Sequence, residues 1–130
     1  NIMKKQIAHV AHFHEVFNIG NENSPIAQID QDTFNLRFNL MKEENEEYLD
    51  ACKDGDLIEM ADALGDQLYI LCGTILKHGL QNKIEEVFEE IQRSNLSKLD
   101  SNGNPIFRDD GKVLKGENYF KPNIRKIIED

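Results

Sequence analysis

The sequence predicts an all-α fold, an antiparallel helical bundle with a small C-terminal β-hairpin and tail. Three observations predict it. Apolar residues recur at three- and four-residue spacing through residues 3–99. Turn-forming residues stand where that periodicity stops. Two of the periodic segments are separated by little more than Gly55-Asp56, and helices joined so tightly must fold back on one another.

The first helix is expected over residues 3–17, from Ile7, Val10, Phe13 and Phe17. The stretch from Asn18 to Pro25, with Gly20, Asn21, Asn23 and Ser24, breaks it. A second helix is expected from about Asp32, its N-cap, to Cys52, ending near Gly55. A third runs from about Asp56 to His78 and stops at Gly79, the usual glycine just past a helix end. A fourth covers about Asn82 to Leu99. Beyond it, Asp100-Ser101-Asn102-Gly103-Asn104-Pro105 is turn chemistry. Ile106-Phe107-Arg108 and Lys112-Val113-Leu114 flank Asp109-Asp110-Gly111, the pattern of a β-hairpin with a tight turn. The last segment is short and at most partly helical.

With 130 residues, the chain is expected to form one domain over 1–130, with a helical core at about 3–99 and a tail at about 100–130. Hydrophobic residues at 39% and charged residues at 30% suit a globular protein with a real core. No apolar run approaches a membrane span and no signal pattern opens the chain, so a cytoplasmic protein is expected. Cys52 and Cys72 lack the spacing of a zinc or redox pair and are read as buried free thiols. The net charge of −9 disfavours duplex nucleic acid and anionic membranes as partners. The charge is uneven. Between Glu43 and Asp66, Lys53 is the lone base among many acids, whereas between Arg93 and Lys126 bases outnumber acids. That distribution suits a metal site beside a phosphate clamp.

The chemistry is concentrated in Glu43-Glu44-Asn45-Glu46-Glu47 and Glu59-Met60-Ala61-Asp62. On a helical wheel, Leu36, Glu44, Glu47 and Ala51 fall within roughly 40° of Leu40. Two glutamates therefore stand in the apolar stripe of the second helix. Glu43 lies at its edge and Glu46 points away. On the third helix Glu59, Asp62, Asp66, Tyr69 and Gly73 form one stripe, with Leu57, Leu64, Leu68, Leu71 and Ile75 opposite. A solvated charge run would set its acids against the apolar side, and these do not. Two unit charges 4 Å apart repel by about 4 kcal/mol at an effective dielectric near 20. Such a cluster must take up protons or cations. An all-oxygen ligand set suits Mg²⁺, with Mn²⁺ as a substitute.

At these motifs the sequence resembles the all-α nucleoside triphosphate pyrophosphohydrolases, the superfamily of MazG, the dimeric dUTPases and the phosphoribosyl-ATP pyrophosphohydrolases. Their EExxE…ExxD signature stands here as Glu43-Glu44-x-x-Glu47 and Glu59-x-x-Asp62. The tail adds Ser94-Asn95-Leu96-Ser97-Lys98-Leu99-Asp100, Gly111-Lys112-Val113 and Lys115-Gly116-x-Asn118-Tyr119-Phe120-x-Pro122, similar to the MazG-like branch labelled phosphoribosyl-ATP pyrophosphohydrolase-like. The matches span roughly residues 34–122. The resemblance implies Mg²⁺ ligation by Glu44, Glu47, Glu59 and Asp62. Glu43 would be a further ligand or orient the attacking water, so the catalytic set is Glu43, Glu44 and Glu47. It implies cleavage of a (d)NTP between the α- and β-phosphates, giving (d)NMP and pyrophosphate, in a house-cleaning role.

For the substrate, Lys98, Lys112 and Lys115 are candidates for the phosphates, with Arg125 weaker. Asn95, Asn118 and Tyr119 are further candidates for binding it. Phe13, Phe17 and Tyr69 have the chemistry to stack on a base, although the phenylalanines read first as core. His9, His12 and His14 do not form Glu-x-x-His with an upstream acid and are read as surface or base-contacting. The alternative to an enzyme is a non-catalytic helical assembly module that binds metal or nucleotide. A third helix so apolar predicts a homodimer or a dimer of dimers, because a few helices cannot cover every side of it.

Overall fold

The computed structural model describes residues 2–130, so the first residue of the expected domain lies outside them. The fold is helical, with α1 at Ile2–Val16, α2 at Gln31–Asp54, α3 at Leu57–Lys77, α4 at Ile84–Leu96 and α5 at Ile124–Glu129. The chain forms two compact units, Asn1–Asn82 and Lys83–Asp130.

In the N-terminal unit α3 is central, packed against α2 along most of its length and against α1. The core is small: Ile7 and Val10 from α1, Ala51 from α2, and Ala63, Cys72, Ile75 and Leu76 from α3. The α2–α3 hairpin follows from two residues. Gly55 adopts φ 64°, a left-handed conformation that L side chains resist. That geometry lets its N–H donate to Cys52 O at 3.1 Å and the Asp56 N–H to Ala51 O at 3.0 Å, closing the end of α2 in a Schellman motif. Asp56 then caps α3, its Oδ1 accepting from the Glu59 N–H at 3.1 Å. At the start of α2 it is Asp30 that occupies the N-cap position, without a side-chain hydrogen bond, and Asp32 lies in the first turn. The acid expected as the cap therefore supports the helix through its charge near the positive dipole end.

Within the C-terminal unit, polar hooks hold the non-helical segment onto α4. The buried Ser94 Oγ donates to Phe120 O at 2.8 Å, and Ser97 Oγ accepts from the Phe120 N–H at 3.1 Å. Arg93 lies over the Phe120 ring at 4.5 Å. Glu90 accepts from the Asn123 N–H at 2.7 Å, and Asn123 Oδ1 caps α5 through the Lys126 N–H. The expected β-hairpin is reduced to one antiparallel bridge, Phe107 with Val113. Its turn at Gly111 is made, with φ 90°, but no named strand flanks it. Flanks of about three residues are too short to sustain a two-stranded ladder alone.

Cys72 is buried and Cys52 half-buried, and both are free thiols. No helix among the described residues is long and apolar enough to cross a membrane.

Candidate metal centre and substrate-binding residues

The register of the hairpin decides which acids meet. Glu44 and Asp66 lie about equally far from the Gly55–Asp56 turn, so antiparallel packing sets them opposite each other. Asn45 Oδ1 accepting from Gln67 Nε2 at 3.4 Å marks the same register. Glu47, one turn beyond Glu44, points to the same side. One carboxylate oxygen from each of Glu44, Glu47 and Asp66 lies within 4.8 Å of the others.

Glu44 is the strained member. Its Oε2 is buried with no hydrogen-bond partner. Burial first, then the Glu47 carboxylate beside it, then the charges of Asp66 and Asp62, push its carboxyl up to about 7. Every electrostatic influence named here comes from another acid.

Of the acids singled out from sequence, Glu44 and Glu47 are thus brought together. Asp62 lies within electrostatic reach of Glu44 but outside the close trio. Glu59 sits nearer the turn, where it lines an open acidic recess with Glu47, Asp50 and Asp56. Glu43 and Glu46 are both exposed. Asp66 joins the site although the motif spacing stops at Asp62. It was on the acidic stripe of α3, and counting outward from the turn would have found it.

The substrate candidates lie in the C-terminal unit. Asn95 and Lys98 stand at the end of α4. The chain returns to them because the Gly116 N–H donates to Lys98 O at 2.8 Å. A Cβ at Gly116 would collide with the Leu99 carbonyl, so no side chain is tolerated there. This juxtaposes the backbone at Lys98 with Lys115, whose Nζ lies 4.9 Å over the Tyr119 ring. Asn118 is exposed on the same returning segment. Lys112 sits in the Gly111 turn, its N–H donating to Asp110 Oδ1 and its carbonyl accepting from the Arg108 N–H. The roles of Ser94, Ser97 and Phe120 in fixing this arrangement were missed from sequence, where the serines read only as part of a motif.

In the N-terminal unit, Phe13 and Tyr69 meet edge-to-face at 5.6 Å, and Phe13 packs on Phe17 at 4.5 Å. The phenylalanines are not core: both are exposed. Helical spacing marks an apolar face, but it does not say whether this chain covers it. His14, in contrast, is buried and bonded to Asn21 at 2.8 Å, not a surface residue like His9 and His12.

A family model described as phosphoribosyl-ATP pyrophosphohydrolase matches residues 10–95. That span contains the whole α2–α3 hairpin and most of α4. Comparison with curated proteins gives no match.

Proposed function

Because this chain belongs to the phosphoribosyl-ATP pyrophosphohydrolase family, within the all-α MazG-like superfamily, its activity is of the nucleotide pyrophosphohydrolase type, and we propose that it is a Mg²⁺-dependent nucleoside triphosphate pyrophosphohydrolase. It would cleave (d)NTPs between the α- and β-phosphates to (d)NMP and pyrophosphate, in a house-cleaning role. The observation that carries this reading is the acid trio with an orphaned, buried Glu44 oxygen.

The donor set fits the metal. Three carboxylates converge without histidine or thiolate nearby in the group, and hard divalent cations prefer oxygen. Glu44, Glu47 and Asp66 would hold it, with Asp62 and Glu59 completing the ligand set. When bound, Mg²⁺ supplies charge neutralisation for phosphate oxygens and acidifies water. The protein's own groups do the rest. Glu43, at the edge of the stripe on α2, orients the attacking water. Within the C-terminal unit, Lys98, Lys112 and Lys115 are the proposed phosphate contacts, and Asn95, Asn118 and Tyr119 the further substrate contacts. Positioning and charge stabilisation of this kind are what phosphoryl chemistry chiefly requires.

The working form is a homodimer or a dimer of dimers. On α3, Leu57 is 76% and Ile58 79% exposed, and Leu64, Leu68 and Leu71 are exposed as well. Soluble monomers rarely leave so much contiguous apolar surface in water. A symmetric partner covers it with a single self-complementary patch. Sedimentation at low micromolar concentration should give a species heavier than 15.0 kDa. An active 15.0 kDa monomer would overturn this part of the reading.

The enzymatic reading is tested by incubating the protein with a mixture of dNTPs, with Mg²⁺ or with EDTA. Pyrophosphate and monophosphates should form with Mg²⁺ only. Orthophosphate as the sole product, or equal turnover in EDTA, would sink it.

A further inference from the structure

A cavity of about 430 Å³, lined by residues of α1, α2 and α3, has no part in the metal chemistry. Its volume is that of a small-molecule site. Phe13 and Tyr69 supply aromatic faces, and Arg37 and His14 supply polar atoms. It adjoins the acid trio. Leu40, in its wall, lies one turn before Glu44, and Tyr69 lies about one turn after Asp66. At 1.5 Å per residue, Arg37 is roughly 10 Å along α2 from Glu44. That is the order of separation between the phosphates and the base of a nucleotide.

Arg37 is a buried cation answered by neutral groups. Its Nε donates to Thr74 Oγ1 at 3.0 Å and Nη2 donates to Ile70 O at 2.7 Å. A guanidinium has five N–H donors, so others remain for a ligand. His14 offers the opposite chemistry. Asn21 Nδ2 donates to Ala11 O at 3.1 Å, which makes Asn21 Oδ1 an acceptor and puts the His14 proton on Nδ1. The Nε2 atom is left with a lone pair. Burial, together with the charges of Arg37 and Lys77, keeps the ring neutral by holding its pKa below the ordinary value. Donor and acceptor stand side by side over Gly73. A Cβ there would collide with Arg37 Nη2 and lie 3.0 Å from His14 Nε2.

We infer that this cavity takes the nucleobase, and that Arg37 and His14 select bases presenting a carbonyl beside a ring N–H. Guanine, uracil and thymine have that edge. Adenine and cytosine present an amino group beside a lone pair, the reverse pattern. The inference rests on the nucleotide reading above, but its test can fail separately.

Metal-free protein is mixed with the phosphate-free nucleosides inosine, uridine, adenosine and cytidine, and saturation transfer to the base protons is read by NMR. Inosine and uridine should show transfer, and adenosine and cytidine should not. Equal signals from all four, or none from any, overturn the inference. With Mg²⁺, KM for dGTP, dUTP and dTTP should be at least about tenfold below that for dATP and dCTP. Arg37→Gln should shift the preference toward dATP, since an amide offers the donor and acceptor that adenine requires. A purely structural Arg37 would instead lose all substrates alike, which would contradict the inference. Should Arg37→Gln fail to fold, the nucleoside and KM arms on the native protein still decide. Turnover with equal KM values sinks the base pocket alone, whereas selective nucleoside binding without turnover sinks the pyrophosphohydrolase reading alone.

Discussion

The two units of this chain handle charge in opposite ways. In the C-terminal unit each arginine is answered by an acid close in sequence: Arg93 by Glu90, Arg108 by Asp110, Arg125 by Glu129. Backbone groups there are met by Ser94, Ser97 and Asn123. In the α2–α3 hairpin, Glu44 meets Glu47, Asp66 and Asp62, acid against acid, with one oxygen left unanswered. The first pattern is that of a surface that stabilises itself. The second costs stability and persists because helix packing fixes its register. The difference teaches where a ligand is wanted. On the function proposed above, a cation answers the acids of the hairpin.

The contrast breaks most sharply on the acids. Glu47→Gln and Asp66→Asn should each lower turnover at saturating Mg²⁺ by about a hundredfold or more, because even partners outside the ligand shell typically cost that much. Glu46→Gln, off the stripe and exposed, should leave turnover nearly unchanged. Equal losses from Glu46→Gln and Glu47→Gln would remove the basis for assigning function to one face of α2.

The pH dependence sharpens the same contrast. The Glu44 carboxyl is pushed above its unfolded value of 4.5 to about 7. A carboxyl raised in the folded state contributes stability that is fully present below about 4.5 and is lost as pH rises through about 7. Metal-free protein should therefore melt at lower temperature at pH 8 than at pH 6. Glu44→Gln should flatten that decline. Mg²⁺ affinity should rise over the same window, since metal and proton compete for the carboxylate. A melting temperature in EDTA that rises from pH 6 to 8 would contradict the coupling of these acids.

A smaller effect is expected where charge is not at stake. Ser94→Ala removes the buried hydrogen bond to the Phe120 carbonyl and leaves that acceptor unmet, at a cost of about 1–2 kcal/mol. Limited proteolysis should then cut near residue 120 faster, with the α2–α3 hairpin still protected. Unchanged proteolysis would mean that the returning segment is held by Gly116 and Arg93 without the serine.

Much of this was legible in the sequence because helices and turns are local. The Gly55-Asp56 turn and the shared face of Glu44 and Glu47 on α2 follow from periodicity and from glycine's left-handed φ. Asp66 was less visible, because the contact joining it to Glu44 depends on the residue-by-residue register of the hairpin. Arg37 and His14 were not legible as a pair. They lie on different helices and meet over Gly73, whose missing side chain gives them room. The exposure of Phe13 and Phe17 was hidden for a related reason, whereas the uncovered leucines of α3 were expected, since a few helices cannot cover every side of so apolar a helix. A sequence shows that a face is apolar and is silent on which chain covers it. The C-terminal turn was legible at Asp110-Gly111, whereas the shortness of its pairing depends on flanks too brief to hold a ladder.

The central claim is that Glu44, Glu47 and Asp66 are a cation site. Mn²⁺ tests it directly through the enhancement of water-proton relaxation when the ion binds. The native protein should enhance relaxation, Mg²⁺ should reverse the enhancement by competition, and Asp66→Asn should weaken it strongly while the helical circular dichroism stays unchanged. Equal enhancement by the native protein and by Asp66→Asn would contradict the claim, as would Mn²⁺ binding that Mg²⁺ cannot displace.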